Sequence, residues 1–84
     1  MKYEVRIIAS AEKEMDKLLS SVHTRLAEKI ISLGNEPRPS GVKKLIGRNE
    51  YRLRVGDYRI LYTVDDANYV VTIFAARHRK EVYR

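Results

Sequence analysis

Eighty-four residues suffice for one hydrophobic core and are too few for two, so every motif is expected to share a single domain spanning residues 1–84. The chain contains no cysteine, which excludes a disulfide framework, a thiolate zinc site and a Cys nucleophile. No apolar run approaches the roughly 20 residues of a membrane span, and the opening MKYEVRII lacks the longer apolar core of a signal peptide, so a cytoplasmic protein without membrane contact is expected.

Hydrophobic residues make up 44% of the chain and charged residues 33%, a mixture that buries a core under a heavily charged surface. The net charge of +6 is unevenly spread: residues 1–41 hold 7 basic and 6 acidic side chains, residues 42–84 hold 10 and 5. The positive field therefore belongs to the C-terminal half. It suits a polyanion, although a solvated basic surface would carry the same charge.

Lys2 to Ile8 alternates Tyr3, Val5 and Ile7 against Lys2, Glu4 and Arg6, the period of a half-buried first strand. Ser10 is expected to cap a short helix, with Glu12 and Glu14 in its first turn and an apolar stripe of Met15, Leu18 and Leu19. Ser20 or Ser21 is expected to cap a second helix, with Val22, Leu26, Ile30 and Leu33 at helical spacing, Gly34 at the stop and Pro37 beyond. The two helices are read as a hairpin. Gly34 to Gly41 holds both prolines and forms a loop. From Tyr51 onward the period becomes 2, predicting strands over Tyr51 to Val55, Tyr58 to Val64 and Tyr69 to Ala76. The order is that of an α+β fold: an N-terminal strand, a helical hairpin, then an antiparallel three-stranded meander, with the helices on one face of an antiparallel sheet.

Only Gly56 and Asp57 separate Val55 from Tyr58, a two-residue hairpin with glycine first. This register sets Arg54 opposite Arg59, Leu53 opposite Ile60, Arg52 opposite Leu61 and Tyr51 opposite Tyr62. Arg52, Arg54 and Arg59 then share one face, while Tyr51, Leu53, Val55, Tyr58, Ile60 and Tyr62 form the face that packs on the helices. Like charges set opposite each other cost up to roughly 1 kcal/mol, a cost that an anion between them would remove. After the last strand the chain runs Arg77-His-Arg-Lys-Glu-Val-Tyr83. Its pleat parity is not fixed by the sequence, and a frayed charged terminus is the alternative reading.

Tyr51-Arg-Leu-Arg-Val-Gly-Asp-Tyr-Arg-Ile-Leu-Tyr62 followed by Arg77-His-Arg-Lys-Glu-Val-Tyr83 resembles the RelE branch of the RelE/ParE toxin superfamily, and the similarity extends over the whole chain. The resemblance implies the RelE-like microbial RNase fold. It also implies a toxin of a type II toxin–antitoxin system that enters the A site of the 70S ribosome, cuts messenger RNA there and so inhibits translation. A RelB-like antitoxin would silence it.

Cutting RNA by attack of the 2′-hydroxyl on the adjacent phosphate needs a proton acceptor, a proton donor and cations for the phosphorane charge, and no metal or other cofactor is assigned. The resemblance points to Arg59 and Arg77 as the phosphate-binding arginines and to Tyr83 at the cleavage site. Arg52 and Arg54 stand at basic positions that the family pattern fills with lysine. Arginine, with a pKa above about 12, holds phosphate well but is a poor proton acceptor, which leaves Tyr83 or His78 for that task. Lys43, Lys44, Arg48, His78, Arg79 and Lys80 are candidates for RNA-backbone contacts. Two alternatives stay open: a ParE-like inhibitor of DNA gyrase without a nuclease site, and a module that binds RNA or the ribosome without breaking a bond.

Overall fold

The computed structural model describes residues 2–45, 49–78 and 80. Among them the elements run β1 (Glu4–Ile7), α1 (Ala9–Asp16), α2 (Ser20–Ser32), β2 (Lys43–Lys44), β3 (Glu50–Val55), β4 (Tyr58–Asp65) and β5 (Val70–His78). The strands form one five-stranded sheet in the order β1-β5-β4-β3-β2. The fold is α+β, as the sequence predicts. It also has the two-residue strand β2, which no alternation in the sequence predicts.

One pairing corrects the antiparallel expectation. The β3, β4 and β5 meander is antiparallel, but β1 lies parallel to β5, with Val5 beside Val71 and Ile7 beside Ile73. The helical pair returns the chain from the first strand to the far side of the meander, so the first and last strands meet running the same way. A crossover of this kind is what a parallel neighbour requires.

The helix starts differ from expectation. Neither Ser10 nor Ser20 is a cap: both lie inside their helices, the N-cap positions are Ile8 and Leu19, and neither N-cap makes a side-chain hydrogen bond. Packing therefore stabilises these helices where capping does not. Met15 from α1 and Leu26 and Ile30 from α2, with Leu33 just beyond, are buried together with Tyr51, Leu53, Val55, Ile60, Tyr62, Val64, Val71 and Ile73 from the sheet. Val22 and Leu18 pack against this cluster, whereas Leu19, expected in the stripe, is 77% exposed. The residue N-terminal to a helix follows extended rather than helical geometry, so the 3.6 period does not carry to it.

Glycine is used for space at Gly34, where an added Cβ would lie 3.1 Å from the Tyr3 carbonyl oxygen. The Gly34 carbonyl accepts the Tyr3 N–H at 2.7 Å, fastening the end of α2 to the start of β1. At Gly56 the need is conformational: its φ of 60° is the left-handed value that the first position of a type II′ hairpin turn demands. The β3/β4 register is the one the turn predicts, with Val55 opposite Tyr58 and Arg54 opposite Arg59.

The loop between α2 and β2 is held by a polar network. Arg38 donates through its Nη atoms to both oxygens of Asp66, at 2.7 and 3.1 Å, and through Nε to the Tyr51 hydroxyl at 2.8 Å. Tyr3 donates its hydroxyl to Asp66 at 2.6 Å, and the buried Tyr62 hydroxyl donates to the Pro37 carbonyl at 2.7 Å. The Arg38 guanidinium and the Tyr3 hydroxyl hold the Asp66 carboxyl down to about 2. Burial pushes the Tyr62 hydroxyl up to about 12. No described helix is long and apolar enough to cross a membrane.

Candidate nucleic-acid interface and active site

Alternation in β3 puts Tyr51, Leu53 and Val55 into the core and turns Arg52 and Arg54 to the opposite face. In β4 the same alternation buries Ile60, Tyr62 and Val64 against the helices and places Arg59 on the arginine face, opposite Arg54. Antiparallel partners share a face, so Lys43, opposite Arg52, joins this set, whereas Lys44, opposite the core residue Tyr51, does not.

Lys43, Arg52, Arg54 and Arg59 line one cavity of about 220 Å³ together with Gly41. Four cations and a glycine backbone, with no carboxylate among the described lining residues, make a site shaped for an anion. Arg54 donates Nε to the Gly56 carbonyl at 3.2 Å, which draws it toward the hairpin turn. Arg59 departs from the expected exposed position: on the central strand, between β3 and β5, it is only 7% exposed. Its Nη1 donates to the Tyr58 carbonyl at 3.3 Å.

A bulge decides where the last cations fall. Tyr62 pairs with Ile73 but Leu61 pairs with Ala75, leaving Phe74 as an extra residue in β5. One extra residue reverses the pleat beyond it. Ala76 therefore lies opposite Ile60 in the core, Arg77 lies opposite Arg59 on the cationic face, and His78 lies opposite Tyr58 on the helix side. Arg54, Arg59 and Arg77 form a row across three adjacent strands.

The Arg77 guanidinium does not lie in the cavity of its neighbours. It turns to α1, where its Nε donates to Glu14 Oε2 at 2.7 Å, and it borders a second cleft of about 250 Å³ with Lys17, Leu18, Tyr58, Ala76 and His78. His78 sets its ring edge-on to Tyr58, 5.4 Å between centroids, and its Nδ1 accepts the Lys80 N–H at 3.3 Å. This geometry puts His78 across the sheet from the arginine row and separates it from the phosphate site suggested by the sequence. Lys80 is exposed beyond the end of β5. Arg48, Arg79 and Tyr83 lie outside the described residues.

Three residues of this region escaped the sequence reading. Gly41, with φ of 89°, lines the cavity, although in the sequence its loop reads only as a connection. Glu14 reads in the sequence only as a helix-dipole carboxylate, whereas it bonds Arg77. Arg38 carried no signal at all, because its partners Asp66 and Tyr51 are 28 and 13 residues away.

The fold and site define a small, basic α+β protein whose sheet is covered by helices on one side and carries a cationic row on the other. Residues 5–83 match the family described as the ParE toxin of the type II toxin–antitoxin system parDE. The chain belongs to the RelE/ParE family of type II toxins. Toxin RelG of Mycobacterium tuberculosis is 32% identical to it over 88 residues, covering 100% of this chain and 99% of that protein. Among solved structures, the toxin of an archaeal RelE–RelB complex from Pyrococcus horikoshii superimposes with a TM-score of 0.85 at 33% identity, over 94% of this chain and 97% of that one. A mutant of the E. coli toxin RelE in the free state matches with a TM-score of 0.81 at 31% identity, over 99% and 92% of the two chains.

Proposed function

We propose that this toxin is a ribosome-dependent messenger RNA endonuclease acting in the A site, and that it cuts by transesterification without a metal ion. The observation that carries the reading is the cavity lined by Lys43, Arg52, Arg54 and Arg59 on the helix-free face of the sheet. A gyrase inhibitor needs no such phosphate-shaped site, and the donor set offers cations where metal ligation would call for carboxylates.

In the proposed reaction the 2′-oxygen attacks the adjacent phosphorus, its proton passes to a base, the bond from phosphorus to the 5′-oxygen breaks, and the departing oxygen takes up a proton. A 2′,3′-cyclic phosphate remains. Arg59 and Arg54 neutralise the charge that builds on the non-bridging oxygens, and Arg52 and Lys43 hold the flanking backbone. Neither Arg52 nor Arg54 suits the role of base, and His78 faces the other way. Tyr83, aligned by resemblance with the family's cleavage-site tyrosine, is the proposed proton carrier. Arg48, Lys80 and Arg79 are proposed as further contacts to the RNA backbone, on their charge alone. The partner is proposed to be a RelB-like antitoxin whose acidic segment covers the cationic face, as complementarity of charge favours.

Primer extension on a messenger RNA in a reconstituted translation mixture, with and without ribosomes, tests the reading. Ribosome-dependent cuts inside A-site codons are expected. Arg59→Ala should slow them by about 3 kcal/mol, roughly a hundredfold, and Tyr83→Phe should abolish them. Intact RNA together with supercoiling defects would establish gyrase inhibition instead. Intact RNA with ribosome binding retained would establish a non-catalytic module.

A further inference from the structure

We infer that Arg38, through its bonds to Asp66 and Tyr51, is a positioning residue for the cationic cavity: it fixes the loop that brings Gly41 and Lys43 into the cavity lining. The inference rests on the reading of that cavity as the place where RNA phosphate binds. Lys43 is the weakly held member of the set. Arg52, Arg54 and Arg59 stand on β3 and β4, which pair over the whole run from Glu50 to Val55, whereas Lys43 belongs to a two-residue strand at the edge of the sheet, paired on one side only. Two ladder positions are fewer than an ordinary strand makes, so the loop before β2 must be held by something else.

Arg38 meets that need. Each of its three guanidinium nitrogens is bonded inside the protein: Nη1 and Nη2 grip the two oxygens of Asp66 at 3.1 and 2.7 Å, and Nε donates to the Tyr51 hydroxyl at 2.8 Å. Asp66 lies in the turn after β4. Tyr51 lies on β3 opposite Lys44, one position along from the pairing of Lys43 with Arg52. The guanidinium thus ties the loop to the strand that β2 must join, and a two-pronged pair fixes direction as well as distance, which a lysine could not do. Directly after Arg38 comes a four-residue turn: the Val42 N–H donates to the Pro39 carbonyl at 3.2 Å, and Gly41 takes the positive φ of 89° that a type II turn needs at its third residue. The Pro39 ring fixes its own φ, and Val42 packs against the core, so the chain has little freedom between Arg38 and Lys43. A direction set at Arg38 is carried to Gly41 and Lys43. Arg38 itself, with its nitrogens engaged, acts on phosphate through the loop and not by touching it.

The test is the salt dependence of binding to a labelled single-stranded 2′-O-methyl RNA, which lacks the attacking hydroxyl and stays whole. Asp66→Ala removes a carboxylate and leaves the chain one unit more positive, so bulk electrostatics calls for tighter binding. The positioning role calls for the opposite: weaker binding, with the slope of log affinity against log salt reduced by roughly 0.7 as the Lys43 contact is lost. Arg38→Lys, which keeps the charge but not the fork, should act the same way. In either background Lys43→Ala should change the slope little further, whereas Arg54→Ala should still reduce it. Asp66→Asn, which keeps one acceptor oxygen, should recover part of the affinity, and it takes the place of Asp66→Ala if circular dichroism shows that variant unfolded. A purely structural role would diminish the contributions of Lys43 and Arg54 alike. That outcome overturns the inference, as does tighter binding by Asp66→Ala with the full effect of Lys43→Ala retained. If Lys43→Ala and Arg54→Ala leave the slope of the wild type unchanged, the cavity reading fails and takes the inference with it, a result seen before any Arg38 or Asp66 variant is compared.

Discussion

Arg54→Glu should make the protein more stable while destroying the phosphate site. Arg54 is exposed, lies directly opposite Arg59 and donates Nε to the Gly56 carbonyl. Facing like charges cost up to about 1 kcal/mol, and facing opposite charges return a similar amount. Exchange of the sign should thus raise the unfolding free energy by about 1 kcal/mol after the lost Gly56 contact, which water replaces. For a domain of this size that is a rise in Tm of roughly 4–8 °C. Urea unfolding at about 0.05 M and 1 M salt measures it, because the Debye length falls to about 3 Å in the second buffer and should erase most of the gain. Inorganic phosphate supplies a second arm: it should raise the Tm of the wild type, whose cations bind it, and leave Arg54→Glu unmoved. A variant less stable than the wild type at low salt, or equally stabilised by phosphate, would refute the cross-strand account.

Three further outcomes follow from the geometry. Lys43→Ala should reduce the slope of log affinity for single-stranded RNA against log salt by roughly 0.7, the release of one counterion, whereas Lys44→Ala should leave it unchanged, since only Lys43 shares the face of Arg52. The Asp66 carboxyl is held down to about 2 from 3.8 by Arg38 and Tyr3. Its contribution to stability is therefore complete above about pH 4 and disappears as pH falls toward 2, and Asp66→Asn should flatten the urea midpoint through that window. Tyr62→Phe, which removes the hydroxyl bonded to the Pro37 carbonyl, should cost about 1 kcal/mol in urea unfolding and leave the sheet register intact by circular dichroism.

The local periods of the sequence determined most of this fold. Alternation in residues 51–64 and the Gly56 turn were enough to fix the β3/β4 register, and with it the shared face of Arg52, Arg54 and Arg59, because a two-residue turn leaves no freedom of phase. The helical stripe of Val22, Leu26, Ile30 and Leu33 was equally legible, since burial repeats with the helix. Beyond the longer turn at 66–69 that logic failed. Counted by alternation from Val71 and Ile73, Arg77 would enter the core and His78 would face solvent; the bulge at Phe74 reverses both. No residue type announces a bulge, and its place is settled by which side chains fit between β4, α1 and the neighbouring strand. The same holds for the parallel pairing of β1 with β5, the attachment of Arg77 to Glu14 across 63 residues, and the joining of Arg38 to Asp66. Contacts within one turn or hairpin are written in the spacing of a sequence, whereas those between distant segments exist only once the core has set them side by side.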